Sequence, residues 1–130
     1  MKRIYIAEDD MGIAELVRLS LAKIDGIALT FFSNGLDLYR KVQEDPPDGV
    51  ICDIILPGLD GLAAIRLIKF SETYRHVKVL TISSIIDSDI AQQVSSVGAD
   101  DFLRKPFRPA DVREKVKTLM GLDDKAQVLG

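Results

Sequence analysis

Four short runs of apolar and β-branched residues, Ile4–Ala7, Ile27–Phe32, Val50–Cys52 and Val77–Ile82, punctuate this chain, and stretches of helical periodicity separate them. That alternation constrains the fold more than any other feature. The runs show little polar alternation, as expected of strands covered on both faces, so they predict a parallel sheet with helices above and below. Between the first two, Ile13, Leu16, Val17, Leu21 and Ile24 recur at helical spacing, and Asp25-Gly26 supplies a stop.

The pattern continues to the end of the chain. A shorter helix over Leu36–Val42 follows the turn residues Ser33-Asn34-Gly35 and is closed by Asp45-Pro46-Pro47-Asp48-Gly49. After Asp53 comes a loop with Pro57, Gly58 and Gly61, then a helix over Leu62–Phe70 on the register Leu62, Ile65, Ile68. A fourth helix is expected over Ser88–Val97 and is ended by Gly98-Ala99. Phe102-Leu103 forms a brief fifth strand, and Pro109 begins a last helix with Val112, Val116, Leu119 and Met120 inward. Five strand-helix pairs predict an α/β fold: a doubly wound five-stranded parallel sheet of flavodoxin-like order 2-1-3-4-5 with helices on both faces. A closed eight-fold barrel would need roughly twice the length.

At 130 residues there is room for one core, and no second domain is expected. Residues 1–121 form the predicted domain, and 122–130 are a frayed tail or a truncated linker. The net charge is −3 and no Lys/Arg block is present, so direct nucleic-acid binding by this segment is not expected. The single cysteine, Cys52, excludes a disulfide framework and, with the single His76, a four-ligand zinc site. The apolar stretch behind Met1-Lys2-Arg3 is too short for a signal peptide, and no apolar run is long enough to cross a bilayer. A soluble, cytoplasmic protein without a membrane partner is expected.

In open α/β sheets, ligands bind outside the carboxyl ends of the strands, where the strand order reverses. Strand one ends in Glu8-Asp9-Asp10, strand three in Asp53, strand four in Ser83-Ser84, and strand five runs into Lys105-Pro106. Strands one and three are neighbours in the predicted order, which brings Glu8, Asp9 and Asp53 close together. Two unit charges about 5 Å apart at an effective dielectric of about 20 repel by roughly 3 kcal/mol, so the three carboxylates need a cation. Lys105 supplies one positive charge. The remaining excess, in a setting of hard oxygen ligands, suits Mg²⁺. Metal, carboxylate, lysine and hydroxyl are the parts of a phosphoryl-transfer site, with Asp53 the candidate nucleophile and Ser83 and Lys105 holding the transferred group.

On these residues the chain closely resembles the receiver domain of bacterial two-component response regulators, from Lys2 to about Met120. The resemblance is carried by Ile6-Ala7-Glu8-Asp9, by Asp53-Ile54-Ile55-Leu56-Pro57-Gly58-Leu59-Asp60-Gly61, by Ser83, and by Gly98 through Phe107 with Lys105-Pro106 inside it. It implies that Asp53 is the phosphoacceptor, taking phosphate from the histidine of a sensor kinase or phosphotransfer protein. It implies Mg²⁺ bound by Asp9, Asp53 and the carbonyl of Ile55, with Glu8 acting through water, and a cis peptide before Pro106. Ser83 and Phe102 match the switch pair that alters the face made by helix four, strand five and helix five, and that face acts on a partner protein or effector domain. The domain is thereby expected to catalyse only its own phosphorylation and dephosphorylation. Three positions depart from the commoner pattern: Ser83 lacks the methyl of Thr, Phe102 lacks the hydroxyl of Tyr, and Ser84 narrows the approach to the phosphoryl group.

Other readings are weaker. An aspartyl-nucleophile phosphatase wants a second acid two residues after the nucleophile, where this chain has Ile55. A flavin or dinucleotide binder lacks G-x-G-x-x-G after strand one. A degenerate, non-phosphorylated interaction module is disfavoured because each acid, hydroxyl and lysine position is filled. Asp10 reads as a helix cap, Cys52 as a small buried hydrophobe, His76 as a surface residue and Asp60-Gly61 as turn chemistry.

Overall fold

The computed structural model describes residues 1–84 and 87–122. Strands β1 (Lys2–Ala7), β2 (Ile27–Phe32), β3 (Gly49–Asp53), β4 (Lys78–Ser83) and β5 (Asp101–Arg104) alternate with helices α1 (Met11–Leu21), α2 (Gly35–Glu44), α3 (Gly61–Lys69), α4 (Ser88–Ser96) and α5 (Pro109–Met120). The strands form one sheet in the order β2-β1-β3-β4-β5, and each neighbouring pair is parallel. This is the doubly wound order expected from the alternation.

Side chains alternate across the sheet and build two cores, one on each face. Ile4, Ile6, Ile51, Leu80 and Ile82 pack with Val17 and Leu21 of α1 and Val112 and Val116 of α5. Tyr5, Ala7, Val50, Cys52 and Val79 face the other way, onto Leu38 and Val42 of α2 and Ile65 and Ile68 of α3. The β3 strand is buried from end to end. Cys52 lies within it, and His76 is exposed.

Several local expectations need correction. As an edge strand, β2 is covered unevenly, and Ala28 and Thr30 point to solvent between partly buried Ile27, Leu29 and Phe31. The α1 helix ends at Leu21 rather than continuing to Ile24. Ile24 nevertheless stays buried, because the chain turns back and its N–H donates to Leu21 O at 3.0 Å. The Asp25-Gly26 signal marks the entry to β2, with Gly26 at φ +81°.

Three helices start on side-chain caps, which satisfy N–H groups that have no partner inside the helix. Asp10 accepts from Ile13 N (3.1 Å), Asn34 from Asp37 N (2.8 Å) and Asp87 from Ile90 N (2.9 Å). Toward the amino ends of the strands, Arg3 donates to both carboxylate oxygens of Asp45 (3.0 and 2.6 Å) and to Tyr5 Oη (2.6 Å), while the Tyr5 hydroxyl donates to Asp45 O (2.5 Å). Of the expected 122–130 tail, residues 123–130 lie outside the described residues.

Candidate functional site

The sheet register brings the carboxyl ends of its central strands level. Ala7 pairs with Cys52, Asp53 with Ile82, and Ser83 with Arg104. Residues that follow these strands therefore converge, although they are far apart in the chain. Glu8, Asp9 and Asp53 each place a carboxylate oxygen within 4.8 Å of the other two.

Lys105 enters this cluster from the loop after β5, where its peptide bond to Pro106 is cis and its own N–H donates to Ser83 O at 2.8 Å. The Nζ atom lies 2.6 Å from Asp53 Oδ2 and 2.7 Å from Glu8 Oε1. The first contact is a well-formed hydrogen bond. The second is an ion pair outside hydrogen-bond geometry, and it leaves Glu8 Oε1 buried without an aligned donor. The remaining oxygens have local partners: Asp53 Oδ1 accepts from Ile55 N at 3.1 Å and Glu8 Oε2 from Asp10 N at 3.0 Å.

Electrostatics follow from this burial. Loss of water pushes the Glu8 carboxyl above the usual carboxylate range, against the opposing pull of the Lys105 ammonium and the Asp10 N–H, and the nearby Asp53 charge adds to the rise. Burial works to lower the Lys105 pKa, but the Asp53 hydrogen bond and the close negative charges of Asp53 and Glu8 outweigh it and hold the ammonium above its ordinary value. One cation faces three acids. The cluster is thus short of positive charge, and its donors are hard carboxylate oxygens at a spacing a small divalent ion can bridge. The unaligned Oε1 of Glu8 and this charge imbalance fit Mg²⁺.

Glu8 and Asp9 separate in a way their adjacency conceals. Glu8 is 4% exposed, whereas Asp9 is open to solvent. Ser83 is buried at the end of β4. The Ile55 side chain is 58% exposed beside the cluster, and Phe102 is 41% exposed, bordering an open groove with Ala91, Val94, Ser95 and Ala99 between α4 and β5. Asp10 is the α1 cap, as expected.

Reading Asp60-Gly61 as turn chemistry misses a contact. A Cβ on Gly61 would stand 1.9 Å from Asp53 O and 2.6 Å from Ile54 O, so α3 begins against the backbone of the candidate nucleophile. The available signal is a glycine at the first helical position, where its flexibility gives the helix no advantage.

This constellation lies at the carboxyl ends of the central strands of an open parallel sheet, and comparison with known families identifies the class of protein. Residues 4–117 match the response regulator receiver domain model, and the chain belongs to that family. It is a receiver domain of two-component response regulators, which are signalling domains that take phosphate from histidine kinases. Similar curated proteins include the transcriptional regulatory protein CseB of Streptomyces coelicolor (33% identical over 117 residues, 90% of this chain and 48% of that protein). The transcriptional regulatory protein BaeR of Escherichia coli is 30% identical over 118 residues, 91% of this chain and 48% of its own length. The chain spans about half the length of the curated relatives it matches. Among solved structures, a response regulator from Chloroflexus aurantiacus superposes with a TM-score of 0.85 at 26% identity, covering 92% of this chain and 98% of that one. The receiver domain of a histidine kinase from Syntrophus aciditrophicus gives 0.84 at 28% identity, covering 93% and 91%.

No described helix is long and apolar enough to cross a membrane.

Proposed function

We propose that Asp53 is the phosphoacceptor of a Mg²⁺-dependent switch. The observation that carries this reading is the placement of Lys105 Nζ within 2.7 Å of both Asp53 and Glu8, at the edge of a three-carboxylate cluster. Asp9, Asp53 and the carbonyl of Ile55 would hold the ion directly and Glu8 through water. The ion supplies charge neutralisation and orientation for the entering phosphoryl group. A receiver domain of a sensor histidine kinase from Pseudomonas aeruginosa carries magnesium in its active site cleft. It shares this fold with a TM-score of 0.83 at 24% identity.

An Asp53 carboxylate oxygen attacks the phosphorus of a phosphohistidine. The P–N bond breaks, the imidazole leaves with the electron pair and takes up a proton, and an acyl phosphate remains on Asp53. Lys105 gives up its contact with Asp53 Oδ2 to a phosphoryl oxygen, and the Ser83 hydroxyl donates to another. Attack of water on phosphorus later restores the carboxylate and releases inorganic phosphate, so the only chemistry is the domain's own phosphorylation and dephosphorylation. Phe102, now partly exposed beside the α4–β5 groove, turns inward behind Ser83. The face of α4, β5 and α5 then acts on an effector domain or a downstream protein. Residues 1–121 form this unit, and it works in the cytoplasm.

Incubation with Mg²⁺ and acetyl phosphate followed by intact-mass measurement tests the assignment. One phosphoryl group should appear on the wild-type chain and none on Asp53→Asn. Equal modification of both removes Asp53 from its role.

A further inference from the structure

The loop after Asp53, residues 54–60, must hold the Ile55 carbonyl still if that oxygen is to serve as a ligand. Its own hydrogen bonds near the site are few: Ile55 N to Asp53 Oδ1, and Ile54 N to Ile82 O at 3.1 Å. Two glycine backbones grip the rest. Gly61 closes the far end against Asp53 O and Ile54 O. Gly35, the first residue of α2 and distant in sequence, presses on the loop from the side, and a Cβ there would lie 1.8 Å from Leu59 O and 2.8 Å from Leu59 C. The Gly35 N–H also donates to Pro57 O at 3.4 Å.

The α2 helix is itself fixed where it meets the loop. Asn34 Oδ1 accepts from Asp37 N, and Asn34 Nδ2 donates to Asp37 Oδ2 at 2.9 Å, while Leu38 and Val42 anchor the helix in the core beneath. A side chain at Gly35 therefore cannot be relieved by moving α2 outward without breaking its cap and its core contacts. The loop is the part that yields. No positive φ requires glycine at this position, so alanine would suit the helix itself, and only the approach of Leu59 opposes it.

We propose that Gly35 is a positioning residue for the ion-binding site, acting through the Leu59 carbonyl to hold loop 54–60 and hence the backbone at Ile55. The inference rests on the Mg²⁺ assignment above, but its structural half does not. In metal-free protein, Gly35→Ala should move the amide resonances of Ile54 and Ile55 in a ¹⁵N-¹H spectrum. Mg²⁺ should then bind Gly35→Ala about tenfold more weakly by calorimetry, the low end of what losing the groups behind a metal's ligands costs. Gly26→Ala is the control. It places a side chain at φ +81° with nothing within 4 Å, so it strains the backbone away from the site and should lower Tm while leaving Mg²⁺ affinity unchanged.

Unmoved Ile54 and Ile55 amides in Gly35→Ala, or an equal loss of Mg²⁺ affinity in Gly26→Ala, overturns the proposal. If the amides move but wild-type protein binds no Mg²⁺, the grip on the loop stands, and both the ion-binding assignment and the role of Gly35 toward it fall. Should Gly35→Ala not fold, Asn34→Ala unties the α2 cap without adding bulk to the loop. Weakened Mg²⁺ binding in Asn34→Ala supports the proposal, and unaltered binding at a lowered Tm overturns it.

Discussion

Lys105 and Asp53 stand 52 residues apart in the chain and meet at 2.6 Å, with Glu8 at 2.7 Å from the same ammonium. This one cation joins the ends of three strands. Replacing it with alanine leaves Glu8, Asp9 and Asp53 facing each other unneutralised. Lys105→Ala should slow labelling of Asp53 by acetyl phosphate at saturating Mg²⁺ about a hundredfold, in the range set by loss of one preorganised donor. Mg²⁺ affinity should hold or rise, because the ion no longer competes with a fixed charge. Loss of both together would mean that Lys105 shapes the site instead of acting on the phosphoryl group.

Tyr5 gives the fold a pH limit on the alkaline side. Burial raises its phenol above the ordinary value, against the lowering by the Arg3 guanidinium. A raised pKa means that the folded state holds the proton more firmly. The associated stability is complete below the unfolded pKa of about 10 and is lost as pH climbs through the folded value. Tyr5→Phe forfeits the bonds to Asp45 O and Arg3, costing about 1 kcal/mol near neutrality. Its urea midpoint should fall less than that of the wild type between about pH 9 and about pH 11. Parallel decline of the two would place the alkaline loss elsewhere.

Lys69 supplies a test of specificity. Its ammonium donates to Arg75 O and Val77 O, both at 2.9 Å, and to Asp100 Oδ2 at 3.0 Å, tying the end of α3 to the entries of β4 and β5. Lys69→Met keeps the aliphatic stem and removes the donor from Arg75 O and Val77 O, while Asp100 Oδ2 keeps only the Val79 N–H at 2.8 Å. It should cost about 2 kcal/mol in urea unfolding, with labelling of Asp53 at saturating Mg²⁺ unchanged. A labelling defect larger than the stability loss would implicate this tie in the chemistry.

Cys52 should be inert in the native state. It is fully buried, its Sγ donates to Asp53 O at 3.3 Å, and burial first, then the neighbouring carboxylates, push its thiol far up. Reaction with a disulfide reagent should occur only through opening of the sheet, at a rate that rises with urea in step with unfolding. Rapid modification in native buffer would contradict this packing.

What was legible in the sequence were the features fixed by local periodicity. The β1 and β3 runs are apolar because the strands lie centrally, and the helix starts at Asp10 and Asn34 carry their own caps. Edge effects were less visible, because the coverage of β2 depends on which neighbours it lacks, and the end of α1 is set by Ile24 folding back into the core. At the site, residue types and spacing were enough to bring the acids, Ser83 and Lys105 to one edge. They did not show that Glu8 is buried while Asp9 is open, a difference created by where strand β1 stops beneath the loops around it. Nor did they show the approach of Gly35 to Leu59, which exists only once α2 and the loop after β3 are packed together.

The ammonium that contacts the two buried acids is covalently part of the polypeptide. Its effective concentration at the cleft does not fall on dilution or dialysis, as that of a free counter-ion would. On the side of Asp9 the cleft is open to solvent. A receiver built this way keeps part of the charge in its cleft compensated whatever the ionic composition of its surroundings.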